Sequence, residues 1–210
     1  KLHKPFLIIL FGIIFLMSTW GATAPALQVS QLKCEYKTNP VGIDVLSPRL
    51  SWVIESSKLG VMQAAYEIRA AASEKELKSK NKLIWHSGKV DSDESIHIAY
   101  AGPTLKSGDR VYWQVRVSDK NGKRSDWSTP AVWEMGLLNE SDWQGQWISA
   151  DIKEDVSKSN PAHMLRKDFS LKSKIVSARA YITSLGLYEM ELNGIRVGEE
   201  VLTPGWNAYQ

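Results

Sequence analysis

From Val29 to Gly136 the chain runs in short segments of alternating apolar and polar residues: QLKCEY, PRLSWVIE, AAYEIRAA, KLIWHSGKV, SIHIAY, RVYWQVRVSD and AVWEMG. A period of two puts successive side chains on opposite faces of a strand. Seven such strands in about 100 residues is the size of an immunoglobulin or fibronectin type III sandwich. The clearest alternation lies in 110–118. Val111, Trp113, Val115 and Val117 fall on one face and Tyr112, Gln114, Arg116 and Ser118 on the other, which predicts one buried face and one wet face. Asn121-Gly122 follows as a predicted hairpin turn, since both residues tolerate positive φ. The stretch SEKELKSK breaks the pattern and predicts a helix over 73–80, with Ser73 and Glu76 spaced as a capping box.

A second β pattern begins near Met164 with MLRKDFSL, IVSARAYITSLG and LYEMELNGIRVGEEVL. Asn193-Gly194 marks its hairpin turn, with Tyr188, Met190 and Leu192 alternating before it and Ile195 and Val197 after it. Between the two patterns, Leu137 to Ile148 is expected to be a packed connector holding Trp143 and Trp147, and the polar remainder a surface loop. A few strands with open edges do not close a sandwich, so the second module is expected to continue past residue 210. The first residue, Lys rather than Met, and the uncapped end TPGWNAYQ are read as trimmed. The expected organisation is a signal peptide over 1–26, a β-sandwich over 27–137, a connector and loop over 138–162, and the first strands of a second module over 163–210.

Nine tryptophans raise the question of sugar stacking against core packing. Trp52 falls on the aliphatic face with Leu50 and Ile54, and Trp113 on that of its own strand. Each such ring buries roughly 150–250 Å², so Trp52, Trp113 and Trp133 are expected in the core. Trp127, in RSDWSTP, admits both readings.

The leader KLHKPFLIILFGIIFLMSTWGATAPA has a basic start, a twelve-residue apolar run from Phe6 to Met17, and small residues at Ala22, Ala24 and Ala26. That is the layout of a secretory signal. A membrane anchor is the alternative, but spanning needs about 20 apolar residues. Pro25 disfavours a cut after Ala24, leaving Gly21, Ala22 or Ala26. Cys34 is the single cysteine, so no internal disulfide forms and the exported chain is expected to be held by its core. Lysine and arginine number 26 against 23 acidic residues, two of the former in the leader, which gives no electrostatic basis for binding nucleic acid.

Reaction chemistry is sparse. DSDESIH holds Asp91, Asp93, Glu94 and His97 but lacks the glycine and later glutamate of a calcium loop, so a solvated turn is expected. His86 and His97 have no partner at metal-ligand spacing. No nucleophile elbow or phosphate-cradling glycine loop occurs. Trp206 and Tyr209, beside Gly and Pro in TPGWNAYQ, are the candidates for contact with a sugar, with structural packing as the other reading. No catalytic residue, metal ligand or cofactor site is assigned.

Taken in order, NPVGIDVLSPRLSW, QAAYEIRAAAS, WHSGKVDSDESIHIAYAGPTLKSGDRVYWQVRVSDKNGKRSDWSTPAVWEMGLL, DWQGQWI, MLRKDF and SARAYITSLGLYEMELNGIRVGEEVLTPGW resemble the N-terminal part of bacterial α-L-rhamnosidases, from about Leu32 to Gln210. The resemblance implies an all-β chain: a fibronectin type III-like sandwich, then the opening of a jelly-roll domain similar to carbohydrate-binding modules. It also implies an (α/α)6 catalytic barrel beyond residue 210 and an inverting mechanism with two carboxyl groups, neither of which matches a residue here. Many fibronectin-like domains carry a corner tyrosine at the start of the strand that here begins with Val111. Tyr112 points the other way, so that hydrogen bond is expected to be missing.

Three functions follow. On the first, which the resemblance implies, the chain is expected to be the accessory region of an exported α-L-rhamnosidase, acting on a rhamnose-containing glycan or glycoside and packing on its own catalytic barrel. Alternatively it is a carbohydrate-binding protein, or a structural or cell-surface β module. Trp143 and Trp147 need a surface to pack on, which argues against a free-standing spacer. The protein is expected in the periplasm, at the cell surface or outside the cell, with no membrane span after signal cleavage and no cofactor.

Overall fold

The computed structural model describes residues 27–79, 82–153, 155 and 157–205; the leader, and with it the signal-peptide reading, lies outside them. Contacts divide the chain into two units, 1–146 and 147–210. In the first, β1 (Gln28–Cys34), β2 (Val41–Ile43), β3 (Arg49–Glu55), β4 (Gln63–Ala71), α1 (Glu74–Ser79), β5 (Leu83–His86), β6 (Ile98–Ala99), β7 (Arg110–Asp119) and β8 (Ala131–Met135) follow in order. They form two sheets, β1-β3-β6 and β2-β8-β7-β4-β5. All pairings are antiparallel except that of β2 with β8.

The expected sandwich is present, and its core lies where the alternation of β7 placed it. Val111, Trp113, Val115 and Val117 are all fully buried, opposite Tyr66, Ile68 and Ala70 of β4. Leu50 and Trp52 of β3 meet them from the other sheet, with Trp133 and Met135 of β8 completing the layer. The rings interlock edge to face: Trp52 on Tyr66 at 5.3 Å, Tyr100 on Trp133 at 5.5 Å and Trp113 on Trp133 at 6.4 Å between centroids. This is the geometry aromatic quadrupoles favour. A bulge between Gln63 and Ala65 lets Gln63 accept the Trp52 Nε1 proton at 3.0 Å. The indole N–H groups of Trp113 and Trp133 are buried without an acceptor.

The other face of β7 is not wet. Gln114 and Ser118 are buried, as are Glu67 and Arg69 beside them on β4. Residues 124–130 cover them. Beyond Trp113, β7 has no β8 residue to pair with, and two serines supply the ladder instead. Ser125 and Ser128 accept the Val117 and Val115 N–H groups on their hydroxyls at 3.0 and 3.1 Å, and return their own N–H groups to the same residues' carbonyls at 2.8 and 2.9 Å. The turn before this segment also differs from expectation. Gly122 alone takes positive φ (76°), while the Asp119 carboxylate accepts the N–H groups of Asn121 and Lys123.

Helix α1 starts as expected. The Ser73 hydroxyl accepts the Glu76 N–H at 3.2 Å and donates to the Glu76 carboxylate at 3.1 Å. The corner tyrosine is absent from β7, but Tyr100 does comparable work from the other side of the same connection. It is buried between Trp85 and Trp133, and its hydroxyl donates to the Pro103 carbonyl at 3.2 Å. Gly102 makes room for this. A methyl there would overlap Oη, Cζ and Cε2 of Tyr100, the last at 2.7 Å. Because two indoles hold the ring, Gly102→Ala should cost about 1–3 kcal/mol, as overpacking does, read as a lower urea midpoint with unchanged m-value. An unchanged midpoint would mean that the ring is free to move.

In the second unit the Asn193-Gly194 turn forms as expected, with φ of 53° and 76° and β9 (Glu191–Leu192) paired to β10 (Ile195–Arg196). A bridge between Tyr188 and Thr203 extends it. The strands expected over 164–171 and 175–186 do not form. Among the described residues they meet no partner edge, and a strand without a ladder leaves its backbone to water. Met164, Phe169, Leu171 and Val176 are accordingly exposed. The connector packs only in its first part: Leu138 rests against the core and its N–H donates to the Ser107 hydroxyl at 2.8 Å, whereas Trp143 is 41% exposed and Trp147 69%. No described helix is long and apolar enough to cross a membrane.

Candidate functional site

The outer face of the five-stranded sheet gathers a network of charged and polar side chains. The pairing of β4 with β7 sets Glu67 against Arg116 and Arg69 against Gln114, all pointing away from the core. Trp127 reaches this face from the covering segment, and its ring lies 4.2 Å from the Arg69 guanidinium carbon and 4.5 Å from that of Arg116. Two cations therefore occupy the indole, and the sequence alternatives for Trp127 resolve toward packing. Glu67 accepts from Arg116 at 2.7 Å, with Arg124 at 3.6 Å and His86 at 3.8 Å. Burial pushes the Glu67 carboxyl up, but the Arg116 hydrogen bond and the charges of Arg116, Arg124 and His86 outweigh it, so the group is held below its ordinary range. Arg69 has no carboxylate: its Nε and Nη2 both donate to Gln114 Oε1, at 3.1 and 2.7 Å.

The residues singled out in the sequence distribute as follows. Trp52, Trp113 and Trp133 are core. Trp206 and Tyr209 lie outside the described residues. Asp91, Asp93, Glu94 and His97 form no metal cluster among the described residues, and the main-chain carbonyl of Glu94 serves Gln63 instead. His97 takes a positive φ of 58° and shares a 2.7 Å hydrogen bond with Tyr36. What the sequence reading missed is the partnership of Trp127 with Arg69 and Arg116. The available signal was the pair of serines, Ser125 and Ser128, around a tryptophan just after a strongly alternating strand.

The perturbed carboxyl groups share a direction. Glu35, Glu55, Glu67, Asp142 and Asp155 are all held low by hydrogen bonds or neighbouring cations. A glycosidase general acid needs the opposite shift. The Cys34 thiol is buried, and desolvation together with the Glu35 charge pushes it up to about 12. Since the thiolate is the reactive form, labelling of folded chain by a disulfide reagent at pH 8 should be slower than in urea by on the order of a thousandfold. Fast stoichiometric labelling of the folded chain would contradict the burial.

Two family models match in order: the "Rha78A-like, N-terminal immunoglobulin domain" over 29–139 and the "Alpha-L-rhamnosidase N-terminal domain" over 173–210. An α-L-rhamnosidase of Formosa agariphila is 35% identical over 192 residues, which is 82% of this chain and 20% of that protein. The solved α-L-rhamnosidase of Dictyoglumus thermophilum superposes with a TM-score of 0.76 at 35% identity, covering 85% of this chain and 21% of that one. The enzyme of Aspergillus terreus gives 0.72 at 31% identity, covering 86% and 20%. The chain spans about a fifth of the length of the curated relatives it matches. With more than half of its residues inside the immunoglobulin-domain model and the second match following in order, the chain belongs to the family of α-L-rhamnosidase N-terminal regions.

Proposed function

We propose that this chain is the non-catalytic N-terminal region of an exported α-L-rhamnosidase, which hydrolyses terminal α-L-rhamnosyl residues of glycans or glycosides by an inverting mechanism. The reaction centre is an (α/α)6 barrel outside residues 1–210, and the two β modules pack on it, the second as the opening of a jelly roll. The observation that carries this reading is the ordered pair of family matches on a chain one-fifth the length of relatives named for the activity. Inversion needs two carboxyl groups about 6.5–9.5 Å apart, one kept protonated. Glu35, Glu55, Glu67, Asp142 and Asp155 are displaced toward ionisation and engaged with cations, hydroxyls or amides, which supports reading them as structural groups. Exposed Trp143 and Trp147 and the uncovered apolar residues of the second unit are faces for such packing.

The test is release of rhamnose from an aryl α-L-rhamnoside. The full-length product should release it with inverted configuration, and residues 27–210 should release none. Hydrolysis by 27–210 would place the reaction centre within this chain, and silence of the full-length product on every rhamnoside tried would overturn the activity.

A further inference from the structure

We propose that the groove between the β3–β4 loop and the β7–β8 turn binds an acidic saccharide, a sugar residue bearing a carboxylate or sulfate group. Strands β4 and β7 pair from Gln63 and Asp119 onward, so these two connections leave neighbouring strand ends. They form the walls of one open groove of about 300 Å³, at the lower end of the range of about 300–1,000 Å³ usual for small-molecule sites. The β7–β8 wall is fixed. The Asp119 carboxylate accepts the Asn121 and Lys123 N–H groups at 2.9 and 2.8 Å, and the Asp119 N–H donates to the Lys123 carbonyl at 2.9 Å. On the other wall Val61 packs against the core, while Met62 and Leu59 are exposed.

Charge selects the ligand. Lys58, Lys120 and Lys123 line the groove and are exposed to solvent, against the single lining carboxylate of Asp119, which the turn amides already engage. Lys78, Lys89 and Lys158 pair with neighbouring carboxylates, whereas these three make no ion pair among the described residues. No counter-charge holds their ammonium groups away from the groove, and each rides on a flexible four-carbon stem that reaches an anion placed there. The chain is close to neutral, with 26 basic and 23 acidic residues, so this excess of cations is local. Leu59, Val61 and Met62 supply apolar contact for the C–H face of a sugar ring. No aromatic ring lines the groove among the described residues, so a neutral sugar lacks a stacking partner and charge decides. The choice of a saccharide over other organic anions rests on the proposed function.

The experiment titrates the chain at constant ionic strength with a galacturonate trisaccharide, maltotriose and sodium sulfate, reading heat of binding. It needs no hydrolysis, so its failure is separable from failure of the rhamnoside assay. Saturable binding of the galacturonate trisaccharide is expected, and none of maltotriose. Lys58→Glu and Lys123→Glu should each weaken binding by about tenfold, the scale of reversing one exposed charge beside an anion. Lys33→Glu makes the same change in net charge on β1 of the other sheet and should leave binding unaltered. All three side chains are exposed, so the variants keep the core intact. No saturable binding, equal binding of maltotriose, or a loss in Lys33→Glu as large as in the groove variants overturns the proposal. Sulfate binding as tight as that of the trisaccharide assigns the groove to a free anion and overturns the saccharide.

Discussion

Trp113→Ala is expected to lower the unfolding free energy by about 3–5 kcal/mol, the range for removing a fully buried large aromatic side chain. Small domains have only about 5–15 kcal/mol in total. The ring sits at the centre of the core: it pairs with Ala70 across β4, contacts Trp133 edge to face, and is fully buried. With Cys34 the single cysteine, no disulfide limits the damage. Trp113→Phe should cost much less, about 1–2 kcal/mol. It restores most of the buried area and also removes an indole N–H that has no acceptor. Trp127→Phe should fall nearer the second value than the first, since that ring is only half-buried and is held by cation–π contact. Urea unfolding followed by circular dichroism orders the three. If Trp113→Ala cost no more than Trp127→Phe, the indoles could not be the filler between the sheets.

The same residues show what could be read without coordinates. A strand such as β7 writes its buried face into its own sequence, because Val111, Trp113, Val115 and Val117 follow a strict period of two. The helix announced itself through Ser73 and Glu76, and Asn193-Gly194 through two residues that accept positive φ. Strand β2 could not be read in this way. Val41-Gly42-Ile43 is too short to show a period, and its parallel pairing with β8 depends on residues more than ninety positions away. Part of that pairing rests on close backbone approach, since a side chain on Gly136 would press on the Gly42 carbonyl at 3.3 Å.

Solvent exposure of the outer face was misread for a related reason. Alternation tells which residues share a face but not whether another segment covers it. Ser125 and Ser128 tie that cover to β7 through side-chain oxygens, a pairing invisible to any hydrophobic period. The second unit fails in the opposite direction. MLRKDFSL and IVSARAYITSLG have strand-forming composition, but pairing supplies the hydrogen bonds that composition cannot. Among the described residues that partner edge is lacking.

Covering the outer face has an energetic consequence at Glu67, the close carboxylate among the three guanidiniums. Its folded-state carboxyl is held below the ordinary range: burial opposes ionisation, and Arg116, Arg124 and His86 more than offset it. A depressed carboxyl contributes stability that is fully present above its unfolded value of about 4.3 and is lost as pH falls through the lower folded value. Glu67→Gln should therefore destabilise the chain at pH 7 by about 2–3 kcal/mol. That is somewhat below the usual cost of breaking a buried pair, because Arg116 keeps 24% of its side-chain surface in water. The difference from the parent should shrink as the pH is lowered from 5 toward 2. Adding Arg116→Met to Glu67→Gln should recover part of the loss, since the second change removes a cation that the first left unpaired. Strictly additive losses in the double variant, or a Glu67→Gln deficit unchanged down to pH 2, would show that the carboxylate does not balance the charge on this face.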